Sequence, residues 1–333
     1  MAVLAVLILA GCSFSEDPEV LTLAGPVFGT EYHVSVVAQN DALMLENLRK
    51  GVTEVLEKVD AGMSTWRADS ELSVLNQQQD QSQWIAVSPE LYRVLAVAKD
   101  VYGRSEGAFD VTVGPLVNLW GFGPQARPEV VPSSDEIAAV QAKTGTDRFQ
   151  LRPQPPAYRA NPPQYIDLSA IAKGYAVDQV AGYLDQQGLT AYLVEIGGEI
   201  RVKGRKPDGE AWRLAIEEPV EGQRSINRVV ALTNHAMATS GDYRNFYLAE
   251  GQRFSHTIDP QTGKPIQHDL ASVSVIADSC MEADALATAF NVLGYEKASR
   301  WAVRENIPAY FIVRGANGFQ SYQTPAFSAY QVE

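Results

Sequence analysis

Ser272-Val-Ser-Val-Ile-Ala-Asp-Ser-Cys-Met-Glu-Ala-Asp-Ala-Leu-Ala-Thr-Ala-Phe-Asn-Val-Leu-Gly294 joins a strand to a helix. Ser272 to Ala277 alternates, as a strand does. From Ala283 to Gly294 the chain reads as a helix, on which Asp284 and Thr288 stand one turn apart and point the same way. Both side chains are oxygen donors, which suits a hard cation such as Mg²⁺. Their neighbours Ala, Leu, Ala and Phe are apolar, which would place the pair in a protected site. From spacing alone, a solvated helix face with a Thr bonded back to its own backbone explains the pair as well.

Outward from this segment the chain alternates strand clusters and helices. Leu21 to Val37 reads as a strand pair or bent strand interrupted at Gly25-Pro26 and Gly29. Asp41 can cap a helix through Leu45, Leu48, Val52, Val55, Leu56 and Val59. Met63 to Asn76 reads as a loop and a short helix, and Ser88-Pro89-Glu90 starts a helix running to about Tyr102. Gly121 to Ser134 and the Pro-rich Arg152 to Gln164 read as surface loops. Tyr165-Ile-Asp-Leu168 reads as a short strand before a helix from about Ala170 to Gln187. Ala191 to Val202 is a strand broken at Gly197-Gly198. Trp212 to Ile216, Arg228 to Thr233 and Ala236 to Thr239 are further strands, and Ile307 to Val313 closes the sheet. Strands in clusters with hairpin-like connections indicate an α+β domain with a mixed or antiparallel sheet.

The chain has 333 residues, 46% hydrophobic and 20% charged, enough for a large core. A net charge of −13 argues against binding nucleic acid through a basic surface. Met1 to Ala10 is apolar and runs into Leu9-Ala-Gly-Cys12, which resembles a bacterial lipoprotein processing box. Residues 1–11 would then be a signal segment, Cys12 the lipidated (palmitate-bearing) anchor and 12–24 a tether to a domain spanning 25–333. The usual positive start is missing, which leaves room for a start upstream. A short buried strand with a core Cys is the other reading. Ten apolar residues are too few for a spanning helix. Cys280 is the only other cysteine, so a lipidated Cys12 leaves no intrachain disulfide, and Cys280 reads as packing.

Three more segments carry chemistry. Gly107 to Gly123 is dense in Gly and aromatics; Phe109, Trp120 and Phe122 could face an aromatic ligand or simply pack. Asp167 and Ser169 stand at a strand-to-helix junction whose amides favour phosphate, although capping explains either residue equally well. Lys173, a cation in the first turn, opposes the helix dipole, and capping does not explain it. His256 lies beside a turn rich in Pro, Gly, Asp and Thr, following Thr239-Ser-Gly-Asp-Tyr-Arg244. It can accept a proton near neutral pH or cap the turn.

Taken together, Phe28-Gly-Thr-Glu-Tyr32, Ser64-Thr-Trp66 with Ser70-Glu-Leu-Ser73 and Asn76, Gly107 to Pro115, Ile166 to Gly174, Glu195-Ile-Gly-Gly-Glu199, and Thr239 to Pro265 continuing to Asp284 and Thr288 resemble the ApbE family of flavin transferases, the FAD:protein FMN transferases. The resemblance covers roughly residues 25 to 315. It implies a T-fold-like α+β architecture and a Mg²⁺ site (Mn²⁺ also admitted) made by the Asp284 and Thr288 side chains and the Ala170 main-chain carbonyl. It implies FAD contacts at Phe28, Trp66, Ala108, Phe109, Asp110, Asp167, Lys173 and Ile258. Many members have Met in place of Phe28 and Tyr in place of Trp66; ring stacking survives both changes, and a Tyr hydroxyl bond does not. The position of Lys173 varies between Lys and Glu in the family.

What the resemblance implies chemically is transfer of FMN from the substrate FAD to a Thr or Ser hydroxyl of a target protein, with release of AMP. His256 is the candidate to take the hydroxyl proton. The implied acceptors are exported domains of membrane redox complexes, reached by an enzyme lipid-anchored in the bacterial envelope and facing the periplasm. Hydrolysis of FAD to FMN and AMP at the same site is one alternative, and a flavin-carrying lipoprotein without catalysis is another.

Overall fold

In a computed structural model of the chain, the described residues are 17–39, 41–124, 131–220, 222, 225–242, 246–249 and 251–332. The expected signal segment 1–11 and lipidation site Cys12, and Tyr243 and Arg244, lie outside them, as do residues 125–130 of the stretch from Gly121 to Ser134.

A central sheet organises the fold. Its strands are β1 (Glu19–Val27), β2 (Thr30–Ala38), β3 (Tyr192–Ile196), β4 (Glu199–Lys203), β5 (Ala236–Gly241), β6 (Leu270–Ala277), β7 (Ala309–Gly315) and β8 (Gly318–Gln323). They lie side by side in chain order, and every neighbouring pair is antiparallel. The α+β expectation holds, in its antiparallel form. The connections carry everything else. Between β2 and β3 come α1 (Ala42–Met63), α2 (Glu71–Asn76), α3 (Pro89–Arg104), α4 (Gly114–Leu119), α5 (Ser134–Gln141), α6 (Ala172–Gln186) and a small three-stranded sheet. α7 (Cys280–Arg304) joins β6 to β7.

Local chemistry explains the main elements. Asp41 accepts from the amides of Leu43 and Met44 and so caps α1. Leu48, Val52, Leu56 and Val59 then fall on its buried stripe. Ser88 caps α3, with Pro89 in its first turn. Phe28-Gly29 makes the β1–β2 turn, both residues at positive φ. β6 is buried on both faces. Val273 and Val275 join the large core beneath the helices, while Ile276 joins a second cluster under the hairpin Trp212–Glu217/Ile226–Leu232. Ser272 and Ser274 are therefore buried rather than wet, and the Ser274 hydroxyl pairs with that of Thr239 at 2.7 Å.

The structure corrects several boundaries. Tyr165 to Leu168 is irregular, because the backbone there bonds outward: Asp167 N–H donates to Val111 O. The stretch from Arg152 to Gln164 holds the strand Pro156–Ala160, paired to Phe149–Pro153, so its prolines bracket strands rather than forming one loop. The sheet ends on β8, not on the strand near Val313. β1 begins at Glu19, so residues 19–24 of the expected tether are paired strand. α6 begins at Ala172, and the break at Gly294 (φ 73°) interrupts α7.

α6 and α7 approach closely at Gly174. A Cβ there would sit 2.3 Å from the carbonyl oxygen of Cys280 and 2.8 Å from the Asp284 Cβ. Backbone cannot step aside as a flexible side chain can. Gly174→Ala is therefore expected to lower stability by about 1–3 kcal/mol, the range for overpacking, read as a shift in the denaturant midpoint.

Candidate active site

A cleft of about 800 Å³ opens where one end of the central strands meets α7, the first turn of α6 and the loop leading to β6. Trp66, Ala108, Phe109, Asp110, Asp167, Ala170, Lys173, His256, Ile258, Asp284 and Thr288 all line it. Segments far apart in sequence thus converge on one site. Phe28 is the exception. It sits in the β1–β2 turn, partly exposed, and Thr30 rather than Phe28 reaches the cleft wall. Trp66 stands at 72% exposure, a flat apolar surface presented to solvent.

Asp284 is only 5% exposed, which rules out the solvated-face reading of the helix pair. Its Oδ2 accepts the Gly174 N–H at 3.0 Å. Lys173 Nζ lies 2.6 Å from Glu199 Oε1, so this cation is already committed to a carboxylate. Glu199 is 3% exposed, and its Oε2 is buried with no hydrogen-bond partner. Burial pushes the Glu199 carboxyl up to about 7; Lys173 opposes the rise and Asp284 adds to it. Burial also raises Asp284, against the pull of Lys173 and the Gly174 N–H. Burial alone would lower Lys173, but Glu199 and Asp284 outweigh it and hold the ammonium above its ordinary value.

Two enclosed carboxyls thus share one ammonium, an arrangement that favours a further cation. Among the described residues no group of three or more His, Cys, Asp or Glu side chains is placed to hold a metal. The expected donor set of Asp284, Thr288 and the Ala170 carbonyl, three residues that do line the cleft, would be of another kind: one carboxylate and two neutral oxygens. It leaves coordination positions for water and phosphate, as Mg²⁺ sites do. The unpartnered Glu199 oxygen is consistent with a cation in this part of the cleft.

The surrounding loops are locked. Asp110 Oδ1 accepts from Thr112 N (2.8 Å), Thr112 Oγ1 (2.6 Å) and Thr146 Oγ1 (2.8 Å). Asp167 Oδ1 accepts the Ser169 N–H at 2.9 Å, closing a turn ahead of α6 rather than capping the helix, whose N-cap is Ile171. The amides of Ala172 and Gly174 are already taken by Leu168 O and Asp284, so the expected phosphate nest at this helix start is largely filled. Trp120, 2% exposed, stacks on Phe254 at 5.4 Å and donates to Gly263 O at 2.8 Å. It is a core residue that ties the glycine-rich segment to the turn after His256. Phe109 and Phe122 line the cleft, and the Phe122 ring meets His256 edge-on at 6.4 Å.

Several site residues had no role assigned from the sequence. Glu199 is one; its signal was an acid directly following Gly197-Gly198 at the start of a strand. Asp178 is another. It accepts the N–H groups of Cys280 and Met281, each at 3.0 Å, and pairs with Arg201. An acid on one helix that serves another helix's first turn leaves no pattern in sequence. Cys280 is fully buried and packs as expected.

This fold is that of a family. The ApbE family profile matches residues 28–311. A protein from Vibrio cholerae named FAD:protein FMN transferase is 44% identical over 330 residues, covering 99% of this chain and 98% of its own. One of the same name from Haemophilus influenzae is also 44% identical, covering 98% and 95%. Among solved structures, the flavin transferase ApbE from Vibrio cholerae superimposes with a TM-score of 0.86 at 44% identity, covering 94% of this chain and 99% of that one. The apo flavinyl transferase ApbE of Pseudomonas stutzeri gives 0.86 at 40% identity, covering 94% and 96%. The chain belongs to the ApbE family and is an enzyme of the transferase class.

An acid whose pKa is higher folded than unfolded binds its proton more tightly in the folded state. Glu199 should therefore make the metal-free protein lose stability as pH rises from about 4.5 to about 7. Glu199→Gln is expected to give a shallower fall across that window, measured by denaturant unfolding in the presence of a chelator.

Proposed function

We propose that the chain transfers FMN from FAD to a Thr or Ser hydroxyl of a second protein and releases AMP. The hydroxyl oxygen forms a bond to the phosphorus of the FMN half. The pyrophosphate P–O bond breaks, AMP leaves with the bridging oxygen, and the hydroxyl proton passes to a base. The observation that carries this reading is a cleft large enough for a dinucleotide whose lining brings together Asp284, Thr288 and Ala170 with Glu199, one of whose oxygens is buried without a partner.

The Asp284 side chain, the Thr288 hydroxyl and the Ala170 carbonyl would hold Mg²⁺, or Mn²⁺ in its place. When bound, such an ion neutralises charge on the phosphate oxygens and so favours departure of AMP. The protein's own groups position the substrate. Trp66 offers a flat surface to the flavin ring. Ala108, Phe109 and Ile258 supply an apolar wall. Asp110 and Asp167, both fixed by their own hydrogen bonds, keep the loops beneath it rigid. Lys173, steadied by Glu199, keeps a positive charge in the cleft beside Asp284. His256 takes the proton of the attacking hydroxyl.

The enzyme would work from a membrane. Leu9-Ala-Gly-Cys12 supports lipidation at Cys12 after removal of residues 1–11, with the body facing the periplasm and acting on exported domains of membrane redox complexes. Among the described residues, no helix is long and apolar enough to cross a bilayer.

Asp284→Ala is expected to cut metal-dependent transfer by on the order of a hundredfold or more, the scale for losing one electrostatic stabiliser, with an unchanged circular dichroism spectrum. Wild-type turnover in that variant would refute the metal assignment. His256→Ala should slow transfer while FAD affinity holds; equal losses in both would make the residue structural. Cys12→Ser should abolish incorporation of radiolabelled palmitate and release the protein into the soluble fraction.

A further inference from the structure

The residues implied for FAD do not account for the whole cleft. It continues round the ends of β2, β3 and β4 to the opposite face of the sheet. Glu31, His33, Glu195, Ile200, Glu217 and Met237 line this second lobe. The strand pattern requires that side. Tyr32 and Val34 face the large core, so His33 between them faces away from it. Ile200 and Met237 belong to the cluster on that other face.

His33 and Glu195 sit directly opposite each other on β2 and β3. His33 Nδ1 lies 2.8 Å from Glu195 Oε2, and the Gly198 N–H donates to Glu195 Oε1 at 2.7 Å. With both oxygens engaged, the carboxylate cannot swing, and it fixes the imidazole in turn. A carboxylate only accepts, so the shared hydrogen sits on Nδ1. Nε2 is then the outward atom of the ring. The neighbouring Glu31 oxygen, at 4.0 Å, is beyond hydrogen-bond reach of it. A histidine oriented by a fixed carboxylate on the wall of a transferase's cleft, with its side chain 56% exposed, is open to receive a donor from a substrate.

Charge decides which substrate. Glu31 and Glu195 line the lobe, and among the described residues the only Lys or Arg on the cleft wall is Lys173, which Glu199 holds. Pyrophosphate is repelled by such a surface. A polypeptide segment, rich in N–H and O–H donors and free of phosphate, is not. The transfer reaction needs a second substrate of that kind next to the dinucleotide.

We propose that the second lobe seats the acceptor polypeptide and that His33, held by Glu195, accepts a hydrogen bond from it through Nε2. This inference rests on the transferase reading and names where that reaction's protein substrate lies. His33 thereby helps determine which acceptor is used, while proton removal stays with His256.

The test uses the full-length enzyme with FAD and Mg²⁺. The flavin-free membrane-protein fraction of a bacterium deprived of its own ApbE enzyme serves as titrated acceptor, and covalent FMN is read by in-gel fluorescence. His33→Ala is expected to raise the half-saturating acceptor concentration by about tenfold, the scale of one lost hydrogen bond, and to leave the KM for FAD unchanged. His33→Gln, which keeps a polar acceptor near the Nε2 position, should restore much of the loss. Glu195→Gln should fall between them. An unchanged acceptor dependence in His33→Ala would overturn the proposal. So would a matching rise in the KM for FAD, because the lobe would then hold the dinucleotide. The wild-type control separates the two levels: no covalent FMN from the wild-type enzyme removes the transferase reading itself, and this proposal with it.

Discussion

The site depends on how two helices cap each other. Asp178 of α6 accepts the first amides of α7, and Asp284 of α7 accepts the Gly174 amide in the first turn of α6. Each helix start is thus satisfied by a carboxylate from the other, where the helix dipole also favours negative charge. Hydrogen bonds to charged groups are worth about 1.5–3 kcal/mol each. The exchange works only if the backbones touch, and a glycine at 174 is what lets them. β4 completes the web with alternate residues of opposite sign. Glu199 meets Lys173, and Arg201 meets Asp178.

This arrangement has a consequence for charge. Asp284 is tied by one oxygen to the backbone and enclosed with Glu199, and burial holds both carboxyls above their ordinary range. A core designed only for stability would not place two acids around one ammonium. Such a cluster costs stability in the metal-free protein and becomes favourable when a cation and a polyanion arrive together. A dinucleotide with its metal is such a pair. The hairpin that carries Glu199 also carries Glu195, so it serves both lobes of the cleft: the Glu199–Lys173–Asp284 cluster on one face of the sheet, and His33 on the other.

How much of this was legible in the sequence differs from element to element. α1 and α3 were plain, because Asp41 and Ser88-Pro89 are local capping signals next to strong apolar spacing. The β6–α7 unit was legible from strand alternation followed by helical spacing. Alternation alone left open what covers its serines, and the hairpin over that face shows why they are buried. The Pro-rich stretch to Gln164 misled, since prolines at strand ends resemble prolines in loops. In the site, Asp284, Thr288, Asp167, Lys173 and His256 stood out by residue type and spacing, and the family resemblance brought them together. Glu199, Asp178 and His33 were not assigned roles. Their meaning lies in partners 26, 102 and 162 positions away (Lys173, Cys280 and Glu195), and pairings at that distance leave no periodic trace. Phe28 shows the reverse: a family position carried over from sequence whose side chain lies outside the cleft lining.

In the proposed reaction an ion held by Asp284, Thr288 and the Ala170 carbonyl grips the pyrophosphate of FAD. Anomalous diffraction from crystals of the protein soaked with Mn²⁺ and FAD tests it most directly. The account predicts a metal peak at bonding distance from the Asp284 carboxylate, the Thr288 hydroxyl and the Ala170 carbonyl, and from oxygens of both FAD phosphates or of the products. Flavin density in the cleft with no metal peak at Asp284, or with the metal bound elsewhere, would contradict it.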